Sequence, residues 1–245
     1  MQIIVTLASA LTLTMAAAAS HAPHWSYEGP EGPEHWGALS PEFAACRTGH
    51  TQSPIDHGSF EPKHAVAIAT DYHAGPLTLL HNGHTVQANF APGSTLTSGG
   101  HSYPLAQVHF HTPSEEAFNG KHYPMVAHFV HKDAEGHLAV LGIMFVEGAE
   151  NPELAKLIEH APKTSAPAQD VAGVTFNPAA LLPPDLHVYR YTGSLTTPPC
   201  SEGVTWHVAL KPVAASKAQI EAIHAIVGHN ARPVQPLNGR QLAAD

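Results

Sequence analysis

The stretch LAQVHFHTPSEEAFNGKHYPMVAHFVH, Leu105 to His131, decides how this chain is read. Its two ends, Gln107–His111 and Met125–His131, are strand-like in length and boundaries. Between them Asn119-Gly120 is a turn signal, so the two runs can fold back as neighbouring strands. On a strand, residues i and i+2 share a face with Cα atoms roughly 6.5–7 Å apart, so His109 and His111 point the same way. His128, on a strand about 4.8 Å away, can complete a triangle of imidazoles able to hold a metal ion. His131, three residues past His128, faces the other way. By count alone the motif is weak: among 21 histidines in 245 residues, chance supplies a His-x-His pair.

Similar short runs, bounded by Gly, Pro and Asn, recur at Leu77–Leu80, Thr85–Phe90, Leu138–Val146, Val188–Tyr191 and Thr205–Leu210. Asn82-Gly83 marks another turn. Two stretches carry helical spacing. Pro152–His160 sets Leu154, Leu157 and Ile158 on one face, and Ser216–Gly228 does so with Ile220, Ile223 and Val227 before ending on glycine. Many strands and few helices predict a mainly β (α+β) fold. There is no internal repeat and no composition break after the leader, so residues 21–245 form one domain.

Hydrophobic residues make up 43% of the chain, enough for a sizeable core. Only 13% of residues are charged and the formal net charge is −9. With no basic run anywhere, nucleic acid and anionic membrane surfaces are excluded as partners. Residues 1–20, MQIIVTLASALTLTMAAAAS, are apolar or small and uncharged. They read as a secretory signal with Ala18 and Ser20 at the −3 and −1 positions of a cleavage before His21, although the usual basic residue ahead of the apolar run is missing. A single membrane anchor is the alternative reading. Export to the periplasm, if the source is a Gram-negative bacterium, or secretion otherwise, is expected, with no membrane association after cleavage. The two cysteines, Cys46 and Cys200, fit one disulfide in an exported chain, or two buried thiols.

Several longer segments carry a resemblance. They are GPEHWGALSPEFAAC (32–46), QSPID (52–56), NGHTVQ (82–87), QVHFHTPSEE (107–116), YPMVAHFVHKD (123–133), GHLAVLGIMF (136–145), YRYTGSLTTPPCSEGVTW (189–206) and RPVQPLNGR (232–240). In that order they resemble the α-class carbonic anhydrases of bacterial type, over nearly the whole chain after the leader. The resemblance implies a single domain on a large, twisted, mostly antiparallel sheet with a few short peripheral helices. It implies one zinc per chain on His109, His111 and His128, and reversible hydration of carbon dioxide to bicarbonate and a proton by zinc-bound hydroxide. It also pairs Cys46 with Cys200. Partners are then small: carbon dioxide or bicarbonate as substrate, sulfonamides or anions as inhibitors at the zinc, and at most a second copy of the chain, as monomer or homodimer.

The remaining roles follow from the same resemblance. Thr196 matches the threonine that accepts a hydrogen bond from the zinc hydroxide, its own proton committed to an ionised Glu115. Val130, Val140, Leu195 and Trp206 match the lining of an apolar substrate pocket, with Val204 nearby; Val130 shares a strand face with His128 independently of any family. His84 matches the proton shuttle, suited by an imidazole pKa near 6.5. Tyr27, Gln87 and Thr197 match polar positions that order the intervening waters.

Departures from the family pattern lie around the third ligand. Gln107 is placed to accept the second N–H of His109, as the pattern expects. The usual glutamate two residues before the third ligand is replaced by Val126, while Glu116 stands directly after Glu115, where the family often has histidine. Glu116 is therefore expected to reach into the vacated space and accept the His128 N–H; a solvated Glu116, with His128 on a carbonyl or water, is the alternative. The other histidines, among them His73, His81, His101, His122, His137, His160 and His229, match no functional position and are expected to be solvated. Two rival functions stay in view: a non-catalytic relative, which would be expected to lack a ligand, Glu115 or Thr196, and an exported metal-binding or buffering protein, which predicts several ions per chain.

Overall fold

The computed structural model describes residues 23–58 and 68–244. The leader-like segment 1–20 lies outside them. Period-two alternation organises the chain into strands β1 (Ile68–Asp71), β2 (Gly75–His81), β3 (Val86–Asn89), β4 (Thr95–Ser98), β5 (His101–His111), β6 (Ala117–Phe118), β7 (Lys121–His122), β8 (Met125–Lys132), β9 (Leu138–Glu147), β10 (Ala166–Phe176), β11 (Val188–Ser194), β12 (Glu202–Ala209), β13 (Val213–Ala215) and β14 (Ala243–Ala244). Twelve of them make one sheet whose main path runs β10-β2-β3-β5-β8-β9-β12-β11-β14. Its neighbours are antiparallel except where β12 and β13 run parallel to β9.

The helices are short: α1 (Trp36–Leu39), α2 (Ala45–Thr48), α3 (Pro152–His160) and α4 (Lys217–Val227). The two longer ones start where their caps dictate. Asn151 accepts from the backbone of Glu153 and Leu154 ahead of Pro152, and Ser216 with Gln219 closes a capping box on α4. Gly228 ends α4 at φ +67°, a left-handed conformation that favours glycine.

Alternation separates the sheet into two faces. Leu77, Leu79, Val108, Phe110, Phe129, Leu141, Ile143 and Phe145 form the main core on one face, packed with α3 and α4. The other face carries the histidines. Gln87 stands opposite His109, His109 opposite His128 and His128 opposite Gly142. A parallel row sets Val130 opposite Val140 and Val140 opposite Trp206. A one-residue slip of β8 would send His128 into the apolar core, so burial of Ala127 and Phe129 enforces the register that builds the site.

The seven strand-like runs form strands, whereas β1, β4, β10 and β13 carry no apolar run of comparable length. β10 is the clearest case. Its side chains are mostly exposed, and it pairs with β2 across two register shifts, so it needs no apolar stripe. His81 corrects the expectation of solvation. It follows Leu77 and Leu79 on the inward face of β2, is buried, and accepts from the Gly83 N–H at 3.0 Å. His73, His101, His122, His137 and His229 are exposed and His160 is half-buried.

Cys46 and Cys200 form a disulfide with Cα atoms 5.0 Å apart, closing a sequence separation of 154. In the chain-entropy account a closure of this length constrains the unfolded chain by roughly 4–5 kcal/mol.

Candidate active site

Each of the three converging imidazoles has one nitrogen committed outward. His109 Nδ1 lies 2.8 Å from Gln107 Oε1, His111 Nδ1 2.7 Å from the Asn230 carbonyl oxygen, and His128 Nε2 2.9 Å from Glu116 Oε1. All three partners are oxygens that can only accept, so each ring donates there and leaves a lone pair on its other nitrogen. Those nitrogens lie within 4.8 Å of one another. His111 Nε2 is buried with no hydrogen-bond partner, although Glu115 Oε2 lies 3.4 Å away. Three neutral nitrogens around one point, one of them an orphan, fit a tetrahedral zinc with a fourth position open.

Electrostatics separate the three rings. Burial holds His109 well below the ordinary imidazole range and pushes His111 down to about 3, so both stay neutral at pH 7. Burial works in the same direction on His128, but the Glu116 carboxylate, with Glu115 behind it, reverses the shift and raises its pKa. Glu116 is fully buried, and burial alone would raise its pKa; the charge and hydrogen bond of His128 bring it below the usual value. The carboxylate lies over Gly142, where a Cβ would sit 3.4 Å from Oε1. Val126, buried on β8, offers His128 no acceptor.

Glu115 is also fully buried. The Arg232 backbone N–H donates to its Oε1 at 2.9 Å, and the nearby Thr196 hydroxyl favours the ionised form of the same carboxylate. Burial nevertheless pushes the Glu115 carboxyl up to about 7. This qualifies the expectation of a permanently ionised acceptor in the metal-free site; a neighbouring dication favours the ionised form.

Two cavities of about 120 Å³ each meet at this centre, sharing Gln107, His109 and Thr197. One continues along Tyr27, His84 and Gln87. The other is walled by Val130, Val140, Leu195 and Trp206, with His128 and Thr196 at its inner end. Val204 packs in the cluster behind this wall. His84 sits 3.6 Å from Trp25, ring centroid to centroid, at 10° between planes. Partial burial and the nearby His24 and His81 hold its pKa below that of a free imidazole. The Tyr27 phenol is pushed well above its ordinary pKa by burial and Glu115, so it stays protonated.

The family model for eukaryotic-type carbonic anhydrase matches residues 31–245. The chain belongs to the α-carbonic anhydrase family. A carbonic anhydrase of Klebsiella pneumoniae is 47% identical over 237 residues, covering 95% of this chain and 96% of that one. One of Pectobacterium carotovorum is 44% identical over 235 residues, 96% of each. Among solved structures, the complex of the Thermovibrio ammonificans α-carbonic anhydrase with the inhibitor sulfanilamide is similar, with a TM-score of 0.87 and 43% identity over 91% of this chain and 100% of that one.

This carbonic anhydrase site also contains residues that sequence reasoning passed over. Asn230 supplies the carbonyl to His111, while its side chain accepts from Thr112 N and donates to the carbonyls of His84 and Phe110. Arg232 supplies the N–H to Glu115. Both act at the metal side through backbone atoms, which every residue carries, so no side-chain signal marks them. Trp25 lies just outside the first matching segment, and nothing in its identity announces the stack on His84.

Proposed function

We propose that the protein hydrates carbon dioxide reversibly to bicarbonate and a proton, with one zinc held by His109, His111 and His128 and with His84 as the proton shuttle. The observation that carries this reading is the convergence of three lone pairs whose opposite ring nitrogens are all pinned. Zinc, when bound, supplies a Lewis acid that brings the pKa of a water to about 7, a value established for carbonic anhydrases themselves. The protein's own residues supply orientation. Thr196 gives its proton to Glu115, so its oxygen is left as a pure acceptor toward the reacting centre, which aligns the nucleophile rather than strengthening it. The wall of Val130, Val140, Leu195 and Trp206 suits a substrate with no charge or dipole. Sulfonamides and anions would compete at the metal, as sulfanilamide is an inhibitor of the Thermovibrio relative. Export by residues 1–20 fits the disulfide, and no helix among the described residues is long and apolar enough to cross a membrane.

The decisive experiment is stopped-flow carbon dioxide hydration on protein of measured metal content. One zinc per chain with hydration supports the reading; one zinc per chain without hydration ends it. For the shuttle, His84→Ala is expected to lower turnover in dilute buffer by about tenfold or more, with recovery on adding imidazole. Unchanged turnover in dilute buffer would remove His84 from the role.

A further inference from the structure

His57 is fully buried, and neither of its ring nitrogens has a protein partner. Its ring stacks on Phe118 at 5.0 Å and on Tyr189 at 5.2 Å and meets the edge of Tyr191. A histidine so enclosed is costly unless a nitrogen is served, since buried polar groups are nearly always paired. A second orphan lies close by. Glu116 donates nothing and accepts at Oε1 from His128, but its Oε2 is buried without a partner.

The backbone brings these two residues to one face. Asp56 bridges to Ala117 in parallel register, with His57 N donating to Ala117 O and Ala117 N to Ile55 O. In such a bridge the side chains flanking the paired residues share a side, so Ile55 and His57 lie with Glu116 and Phe118. The stack of His57 on Phe118 agrees. Burial pushes the His57 imidazole down to about 4, against the pull of Glu116, so at neutral pH it is a neutral ring with one N–H to give.

We propose that His57 is a positioning residue for the metal centre: its N–H holds the second carboxylate oxygen of Glu116 across one shared water, and so keeps the other oxygen on His128. A carboxylate anchored at one oxygen can rotate away from the ring it orients, whereas one held at both cannot. The replacement of a same-strand carboxylate at Val126 by Glu116 then involves a third residue, which stops the relocated carboxylate from turning. This inference rests on the reading of His109, His111 and His128 as the zinc ligands.

The test compares zinc release to a chelator, zinc content and thermal unfolding of the metal-free protein for wild type, His57→Phe, His57→Gln, Glu116→Ala and the double variant His57→Phe/Glu116→Ala. Phenylalanine keeps the stacked ring and removes both nitrogens; glutamine restores a donor. His57→Phe is expected to fold, with a modestly lowered unfolding temperature from the unserved Glu116 oxygen, and to release zinc roughly 10–100-fold faster. His57→Gln is expected to recover most of the slow release. In the Glu116→Ala background, adding His57→Phe is expected to change nothing further. Zinc release within twofold of wild type in His57→Phe overturns the proposal, as does equal acceleration with and without Glu116. If His57→Phe does not fold, fast release in a folded His57→Gln overturns it, and slow release supports it. A wild-type chain that takes up no zinc would instead defeat the metal reading on which the proposal stands.

Discussion

A His128→Ala chain is expected to lose zinc and, unlike a His109→Ala chain, to lose stability even with no metal present. The first effect is shared. Removing one of the ligands costs on the order of 3 kcal/mol of metal binding, about a hundredfold in affinity, and hydration activity goes with it. The second effect is particular to His128. Its ring is the partner of Glu116, 2.9 Å away, and both side chains are almost wholly removed from solvent. Deleting the ring leaves a buried carboxylate without its counterpart, a situation that costs about 3–5 kcal/mol. His109, by contrast, faces the cavity and gives its N–H to the neutral, half-buried Gln107, so its loss removes one ordinary hydrogen bond worth about 1 kcal/mol. Guanidinium denaturation of the two metal-free variants reads the difference directly. Equal midpoints would mean that the Glu116–His128 contact contributes nothing to the fold.

Acid is expected to unfold the metal-free protein cooperatively between about pH 5 and pH 4, at the upper edge of the range in which carboxylates titrate. Among the described residues, three histidines outside the triangle are fully buried: His57, His131 and His207. Burial pushes His57 and His207 down to about 4 and His131 down to about 3. Above pH 6.5 all three are neutral whether the chain is folded or not, and their contribution is complete. Below 6.5 the unfolded chain takes up protons that the folded chain refuses, so stability falls as the pH drops toward 4. Three such sites give a slope of about 4 kcal/mol per pH unit, or about 6 kcal/mol lost by pH 5. Total stabilities of about 5–15 kcal/mol leave little after that. His57→Phe, which cannot take up the proton, should flatten the slope by one proton. Stability that stays level from pH 7 to pH 5 would show that these rings admit protons while folded.

Much of this was legible in the sequence, for reasons that can be named. The strand period of two put His109, His111 and Val130 on faces that could be worked out residue by residue, and the turn at Asn119-Gly120 brought β8 back beside β5. The Cys46–Cys200 pair and the glycine that ends α4 were readable in the same way, because each depends on local chemistry or on position within a family pattern. The exchange of Val126 for Glu116 could be anticipated because a buried N–H needs an acceptor. What escaped has an equally physical cause. β10 is a polar edge, so no apolar stripe announces it. His81 looked solvated because a histidine after Leu77 and Leu79 breaks the apolar run without leaving the inward face. Asn230 and Arg232 act at the metal side through main-chain atoms. His57 was one histidine among 21, distinguished only by what encloses it.

The way His111 and Glu115 are pinned also bears on the order of events during folding. The Asn230 carbonyl and the Arg232 N–H reach them across sequence separations of 119 and 117. Contacts between residues so far apart are slow to form, because the loop entropy is lost before the contact rewards it. A partly folded chain can therefore have its central hairpin in place, with all three histidines, and still lack the acceptor that selects the right tautomer at His111. Tight capture of zinc is expected to wait for the segment around residues 230–232 to dock, which would make metal uptake a clock for the last step of assembly. By the same path in reverse, slow exchange of bound zinc would sample brief undocking of that segment while the sheet stays intact.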